Sequence, residues 1–212
     1  MLYEPSSSLR PVVQLQKNSS DFFLSFFKKY ENNMECRLGC SKCCYVDLSI
    51  FQSEAYVIVE WVNFLSSEEK QNLLNELCES ESSPQKNTLG KTSSPCAFLN
   101  NGKCTIYDVR PNICRTQGLP LQYKISDVKN QVQLAVDVCP LNFTQENSMP
   151  ERPEWLDLDR LNALQSIAEN FFQKNNQDAK LTELENLVNK EGRIPLRKLK
   201  KFIVEMLKKE KF

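Results

Sequence analysis

The 212-residue chain contains no histidine. That absence excludes every mechanism resting on imidazole: the Ser-His-Asp triad, the Cys-His dyad and the HExxH zinc site. The five glycines are scattered, which leaves no GxGxxG turn and no Walker loop to cradle a phosphate or dinucleotide. Neither sign of charge is in excess, since 27 Lys and Arg balance 27 Asp and Glu, so no global field draws the chain to nucleic acid or membrane. Long apolar runs are missing too. The most apolar window, Ala55 to Leu65, is short and interrupted by Glu60, so no segment is read as crossing a bilayer. The opening MLYEPSSSLR lacks a basic stretch followed by an apolar one, so no secretory leader is expected there. A cytoplasmic protein is the expectation, in a compartment where disulfides are rare and grouped cysteines signal metal or redox chemistry.

Cysteine is what the chain has in plenty. Nine are present, an odd number that a pure disulfide framework would not use up. The expected class is α+β: a small antiparallel sheet with a cysteine-rich metal site, flanked by helices, and a helical C-terminal third. Three parts follow: residues 1–18 as a flexible N-terminal segment, 19–148 as a cysteine-cluster metal-binding domain, and 149–212 as a helical extension.

Periodicity supplies the elements. Ser20 or Asp21 is expected to cap a helix bearing Phe23, Phe26, Phe27 and Tyr30. Ala55, Ile58, Val59, Val62 and Leu65 form a second helical stripe. Ser66 and Glu69 have capping-box spacing and open a third helix. Asn101-Gly102 predicts a hairpin turn between Cys96 and Tyr107. Leu121, Tyr123 and Ile125, then Val132, Leu134, Val136 and Val138, alternate as two half-buried strands joined by a turn over 126–130. Leu158, Leu161, Leu164, Ala168 and Phe171 predict a long helix, and Leu181, Leu184, Leu187 and Val188 a shorter one. Leu196, Leu199, Phe202, Ile203 and Met206 predict the last.

Eight of the cysteines fall into two groups, Cys36, Cys40, Cys43 and Cys44, then Cys96, Cys104, Cys114 and Cys139. Soft thiolates suit zinc and iron–sulfur clusters, and each takes about four. Cys36, Cys40 and Cys43 would share one face of a helical turn, or wrap a tight loop at Gly39. Cys43 and Cys44 are adjacent and point apart, so one is expected to complete the first set and the other to cross to the hairpin set. A four-thiolate site is anionic and needs compensation. Arg37, Lys42, Lys103, Arg110 and Arg115 lie close in sequence, and Arg110 and Arg115 are the preferred supports around the cofactor. Cys78 falls on the apolar stripe of Leu73, Leu74 and Leu77 and reads as a small buried hydrophobe.

The run Cys36 to Cys44, followed by Pro95-Cys96-x-Phe98-Leu99-x-x-Gly102-x-Cys104-x-Ile106-Tyr107-x-x-Arg110-Pro111-x-x-Cys114-Arg115, resembles the YkgJ-type cysteine cluster proteins, with their zinc- or iron-chelating CxxCxxCC domain. The resemblance covers roughly residues 20–142. It implies a bacterial-type cytosolic protein that binds a metal through these cysteines, described for the family as an iron–sulfur protein or oxidoreductase. Flagellin lysine methylases look like distant relatives.

Three functions follow. The first is a cluster-bearing protein, a [4Fe–4S] centre ahead of zinc, with electron transfer or redox sensing as its role and an unidentified redox or protein partner. The second is a zinc-stabilised structural or interaction module. The third is a protein-modifying, methylase-like enzyme; Cys36-x3-Cys40-x2-Cys43 also matches the three-cysteine signature of radical SAM enzymes. That reading is disfavoured by Lys42, where an aromatic residue is usual, and by the missing βα repeat. The C-terminal stretch from Arg193 carries eight basic residues against Glu205 and Glu210. It is read as a solvated helix face, not a nucleic-acid site.

Overall fold

The computed structural model describes residues 3–210 apart from 38, 80–82, 88, 127–130 and 177–181. The turn expected over 126–130 lies outside the described residues except for Ser126, as do Leu181 of the shorter helix and Lys211 of the basic stretch.

Helix α1 spans Arg10–Tyr30 and buries Val12, Leu15, Gln16, Ser19 and Phe26. It begins ten residues before the expected cap at Ser20, taking in half of the supposed flexible lead-in. Pro11 sits in its first turn, where the missing N–H costs nothing and the fixed φ suits a helix. Ser20 is mid-helix, and its hydroxyl serves a tertiary contact described below.

A short strand β1 (Ser49–Ile50) leads into α2 (Gln52–Phe64), which is buried nearly all round through Ala55, Tyr56, Val57, Ile58, Val59 and Val62. A helix so enclosed is the centre of the core. Ser66 then caps α3 (Ser67–Cys78): its Oγ accepts the Glu69 N–H at 3.3 Å, and Glu69 Oε2 accepts the Ser66 N–H at 2.8 Å. Strands β2 (Gln85–Lys86) and β3 (Thr92–Ser93) pair in the loop that follows.

The predicted hairpin is present, with β4 (Leu99–Asn100) against β5 (Lys103–Cys104). Asn101 and Gly102 both take positive φ, 47° and 73°, the pair of left-handed residues that a tight two-residue turn needs. A single turn, α4 (Asn112–Arg115), follows. The second hairpin is β6 (Leu121–Ser126) with β7 (Val132–Asp137), and β8 (Leu156–Asp157) adds to β6 in parallel. The one antiparallel sheet expected in mid-chain is thus several small sheets, and one of them carries a parallel pair. Nor is β7 half-buried. Val132, Leu134 and Val136 line one face of an edge strand that lies largely in solvent.

Helix α5 (Leu158–Asn175) departs from the predicted face. It buries Leu161, Gln165, Ala168, Glu169 and Phe172, while Leu164, Ile167 and Phe171 are exposed. An apolar periodicity mislocates a helix face when the buried side is polar for a reason, and here Gln165 and Glu169 have buried partners. After α6 (Thr182–Glu185), β9 (Ile194–Pro195) pairs with β1, and α7 (Leu196–Lys209) packs on α3.

Two apolar clusters result. The larger holds α2 with faces of α3, α5 and α7, and Cys96 and Cys104 lie against it. The smaller gathers Phe26, Met34 and Leu119 with Tyr30, Phe143 and Cys36. The basic helix is bound into the body: Arg193 stacks on the Phe51 ring at 3.9 Å, Arg197 pairs with Asp47 at 3.1 Å, and Glu210 pairs with Lys70 at 2.8 Å. Among the described residues no helix is long and apolar enough to cross a membrane.

Candidate metal centre

The first cysteine block is a loop, the second of the two geometries open to it. Cys40 N–H donates to Arg37 O at 2.9 Å, Gly39 turns the chain at φ 93°, and Lys42–Cys44 closes as a short 3₁₀ turn. The Cys96 N–H donates to Cys44 O at 2.6 Å and so ties this loop to the start of the hairpin. Cys104 stands opposite Leu99 in the β4–β5 pair. Cys114 sits within α4, and Cys139 lies just past β7, its carbonyl accepting the Asn142 N–H at 2.9 Å.

All nine cysteines are free. Among the described residues no group of three or more Cys, Asp or Glu side chains is placed so as to hold a metal ion. The eight candidate thiols are nonetheless electrostatic neighbours. Cys36 senses Cys139, Cys40 and Cys43; Cys139 senses Cys40 and Cys43. On the other side Cys44 senses Cys96 and Cys114, and Cys104 senses Cys96. Cys43 and Cys44 share a hydrogen bond and stand between the two groups. The fold therefore puts Cys139 beside the first block, whereas the sequence grouped it with the hairpin. Cys78, on α3, is exposed, not the small core residue its helical spacing suggested.

Burial governs the chemistry of these thiols in the metal-free protein. It pushes Cys36 and Cys104 up to about 11, and Cys114, Cys96 and Cys139 upward as well, because the thiolate loses solvation. Cys43 runs the other way, to about 7, through its hydrogen bond with Cys44 and with help from the Arg110 charge. Cys44 is raised in consequence.

The two arginines divide their labour. Arg110 lies with its guanidinium 3.7 Å from the Tyr107 ring, and its charge favours the thiolates of Cys43 and Cys104. Arg115 is buried. Its Nε donates to Arg110 O at 2.8 Å, Nη2 to Asp108 O at 2.7 Å and Nη1 to Ser20 Oγ at 2.8 Å. Those donors clamp the loop leading into Cys114 and fasten it to α1. Desolvation lowers the Arg115 pKa to about 10. Arg115→Ala removes three hydrogen bonds that hold this loop and is expected to cost about 2 kcal/mol, read as a lower denaturant midpoint at unchanged slope. Of the remaining cations, Arg37 pairs with Glu35 at 3.7 Å, and Lys42 and Lys103 are exposed.

Residues that periodicity did not single out complete the surroundings. Glu54 opens α2 and is fully buried; its Oε2 accepts the Phe51 N–H at 3.2 Å and its Oε1 the Asn112 N–H at 2.7 Å. The second bond holds the first turn of α4, and with it Cys114. Nearby Glu169 accepts from Ser53, and Gln165 accepts from Asn112 Nδ2 at 3.2 Å, which explains the polar buried face of α5. Glu54→Ala leaves the buried Asn112 N–H and the half-buried Phe51 N–H unmet and is expected to cost about 3 kcal/mol, measured by chemical denaturation. Asn142 donates to Cys36 Sγ at 3.3 Å. Arg197 donates to Pro95 O at 3.1 Å and favours the Cys96 thiolate by its charge. Sequence carried a signal for one of these, Glu54 at the start of an apolar helix; the others depend on chain segments far apart.

This thiol arrangement spans the same stretch that a family model matches, residues 35–140. The chain belongs to the CxxCxxCC family. Its domain is described as zinc- or iron-chelating, so the resemblance read from the two motifs holds, and a chelating cysteine cluster is the function the family supports. No curated protein and no solved structure matches the chain. The donor set of the CxxCxxCC domain fits such a metal: free thiols without imidazole, close enough to shift one another, beside the Arg110 and Arg197 charges.

Proposed function

We propose that the CxxCxxCC domain of this chain holds an iron–sulfur cluster of the four-iron type and serves in electron transfer in a reducing cytoplasm. The observation that carries the reading is the hydrogen-bonded Cys43–Cys44 pair standing between two thiol sets. One set is Cys36, Cys40 and Cys139 and the other Cys96, Cys104 and Cys114; Cys43 acts on members of both, and Cys44 faces the second. With Cys43 or Cys44 added, either set has the four thiolates that one cubane cluster takes. When bound, the cluster supplies one-electron chemistry. The protein's part is to hold the thiols, to offset their charge with Arg110 and Arg197, and to keep most of them out of water. Cys40 is the exposed member, which gives a redox partner a near edge.

A zinc-held interaction module is the second reading. It is favoured by the thinness of regular structure around the thiols, where β4 and β5 are two residues each and a structural metal would supply rigidity.

Purification without oxygen, followed by an optical spectrum and elemental analysis, separates the two. Brown absorption near about 400 nm that dithionite bleaches, with iron and sulfide present, is the expected result. A colourless protein with about one or two zinc ions per chain overturns the cluster in favour of the module.

A further inference from the structure

We propose that Asn142 is a positioning residue for Cys36, its side-chain amide donating to the sulfur and holding it as a thiolate ligand. This inference rests on the reading of Cys36 as a metal ligand.

The argument starts from how completely Asn142 is used. It is buried, and its Oδ1 accepts the Glu35 N–H at 2.8 Å. That bond fixes which end of the amide faces which way. Nδ2 must then face the opposite side, where it donates to Gly118 O at 2.8 Å and to Cys36 Sγ at 3.3 Å. A flipped amide would set Oδ1 against a carbonyl and an N–H against an N–H, so the network permits one orientation. Cys36 Sγ also lies 3.8 Å from Oδ1, within reach of the thiol hydrogen. Once a metal has displaced that hydrogen, the Nδ2 bond is the one that remains.

The neighbours are built around this contact. Gly118 holds a φ of 93°, and a Cβ there would overlap Cys36 Sγ and come within 3.2 Å of Asn142 Nδ2. Phe143, the next residue, takes a φ of 54°, donates its N–H to Asn33 O at 2.7 Å and sets its ring edge-on to Phe26 and Tyr30. The turn carrying Asn142 is thereby anchored to the end of α1 while its backbone N–H is held by Cys139 O. One amide so links both chain segments that bring Cys36 and Cys139 together. A hydrogen bond to a ligand sulfur withdraws electron density from it and orients its lone pairs, and loss of such an outer partner costs about ten- to a hundredfold in metal affinity.

Asn142→Asp is the discriminating variant, since it keeps the shape and the acceptor for Glu35 N–H but removes the donor. Zinc release to a chelator is expected to speed up by about ten- to a hundredfold. The sulfur-to-cobalt charge-transfer band of the Co(II)-loaded variant is expected at lower energy, because a sulfur without its hydrogen bond gives up an electron more easily. A variant that melts earlier but keeps both the release rate and the band overturns the proposal, because a merely structural asparagine would do that. If the variant does not fold, the wild-type protein decides: loaded with a spin-active cadmium isotope, it should show scalar coupling between the metal and the Asn142 amide hydrogen, and absence of that coupling overturns the proposal. Cys36→Ser separates the two layers. Full metal in Cys36→Ser removes Cys36 as a ligand and the positioning role with it. Metal lost there, with Asn142→Asp unchanged in rate and band, leaves the ligand standing and removes Asn142.

Discussion

Cys114→Ser and Cys40→Ser are each expected to abolish metal retention, while Cys78→Ala leaves it intact. The two positions differ in exposure. Cys114 is half-buried within α4, where Glu54 fixes the preceding turn through the Asn112 N–H and Arg115 fixes the loop. A serine there offers a neutral hydroxyl that does not ionise near neutral pH. Cys40 is exposed, so water can enter, yet oxygen is a poor donor for a metal that selects soft ligands. Cys78 is exposed on α3 and belongs to neither cysteine motif. Metal per chain, measured on folded protein after desalting, checks all three. Full occupancy in either serine variant removes that residue from the ligand set.

Metal affinity is expected to climb steeply with pH. In the metal-free protein Cys36 and Cys104 lie near 11 against an ordinary thiol value of 9.0, so both carry protons at neutral pH. Metal binding must displace those protons, and raising the pH removes the competition. Cys43 is shifted downward by its hydrogen bond with Cys44, so its proton is the easier one of that pair to displace. The sign reverses for the stability of the metal-free fold. Thiols raised on folding contribute stability that is complete below their unfolded value of 9.0 and is lost as pH rises through about 11. Competition with a chelator between about pH 6.5 and 8.5 reads the first effect, and an affinity that stays flat over that range sinks it. Denaturation of metal-free protein across the alkaline window reads the second, as a falling midpoint.

Arg115 and Arg110 show how far residue type alone reaches. Their proximity to Cys114 marks both as supports. What each does depends on partners that spacing does not reveal. Arg115 spends its donors on Asp108 O, Arg110 O and Ser20 Oγ, while Arg110 stacks on Tyr107 and acts by its charge. Local signals were otherwise sound wherever the chemistry is local. The Ser66–Glu69 cap and the Asn101-Gly102 turn form as read because each is satisfied within four residues. The start of α1 and the face of α5 were misplaced because Ser20 and Gln165 answer to partners distant in the chain.

The family follows from the residues themselves: no histidine, nine cysteines and two motifs suffice to read a zinc- or iron-chelating domain here. The grouping of those thiols does not follow. Cys139 stands with Cys36 and Cys40, and Cys44 with Cys96 and Cys114, because long-range contacts fold the chain back: the Cys96–Cys44 backbone bond, the Glu54–Asn112 bond and the Asn142 amide. Spacing along a chain limits which donors can share a turn. Which donors from separate segments share a point is decided by the packing that brings those segments together.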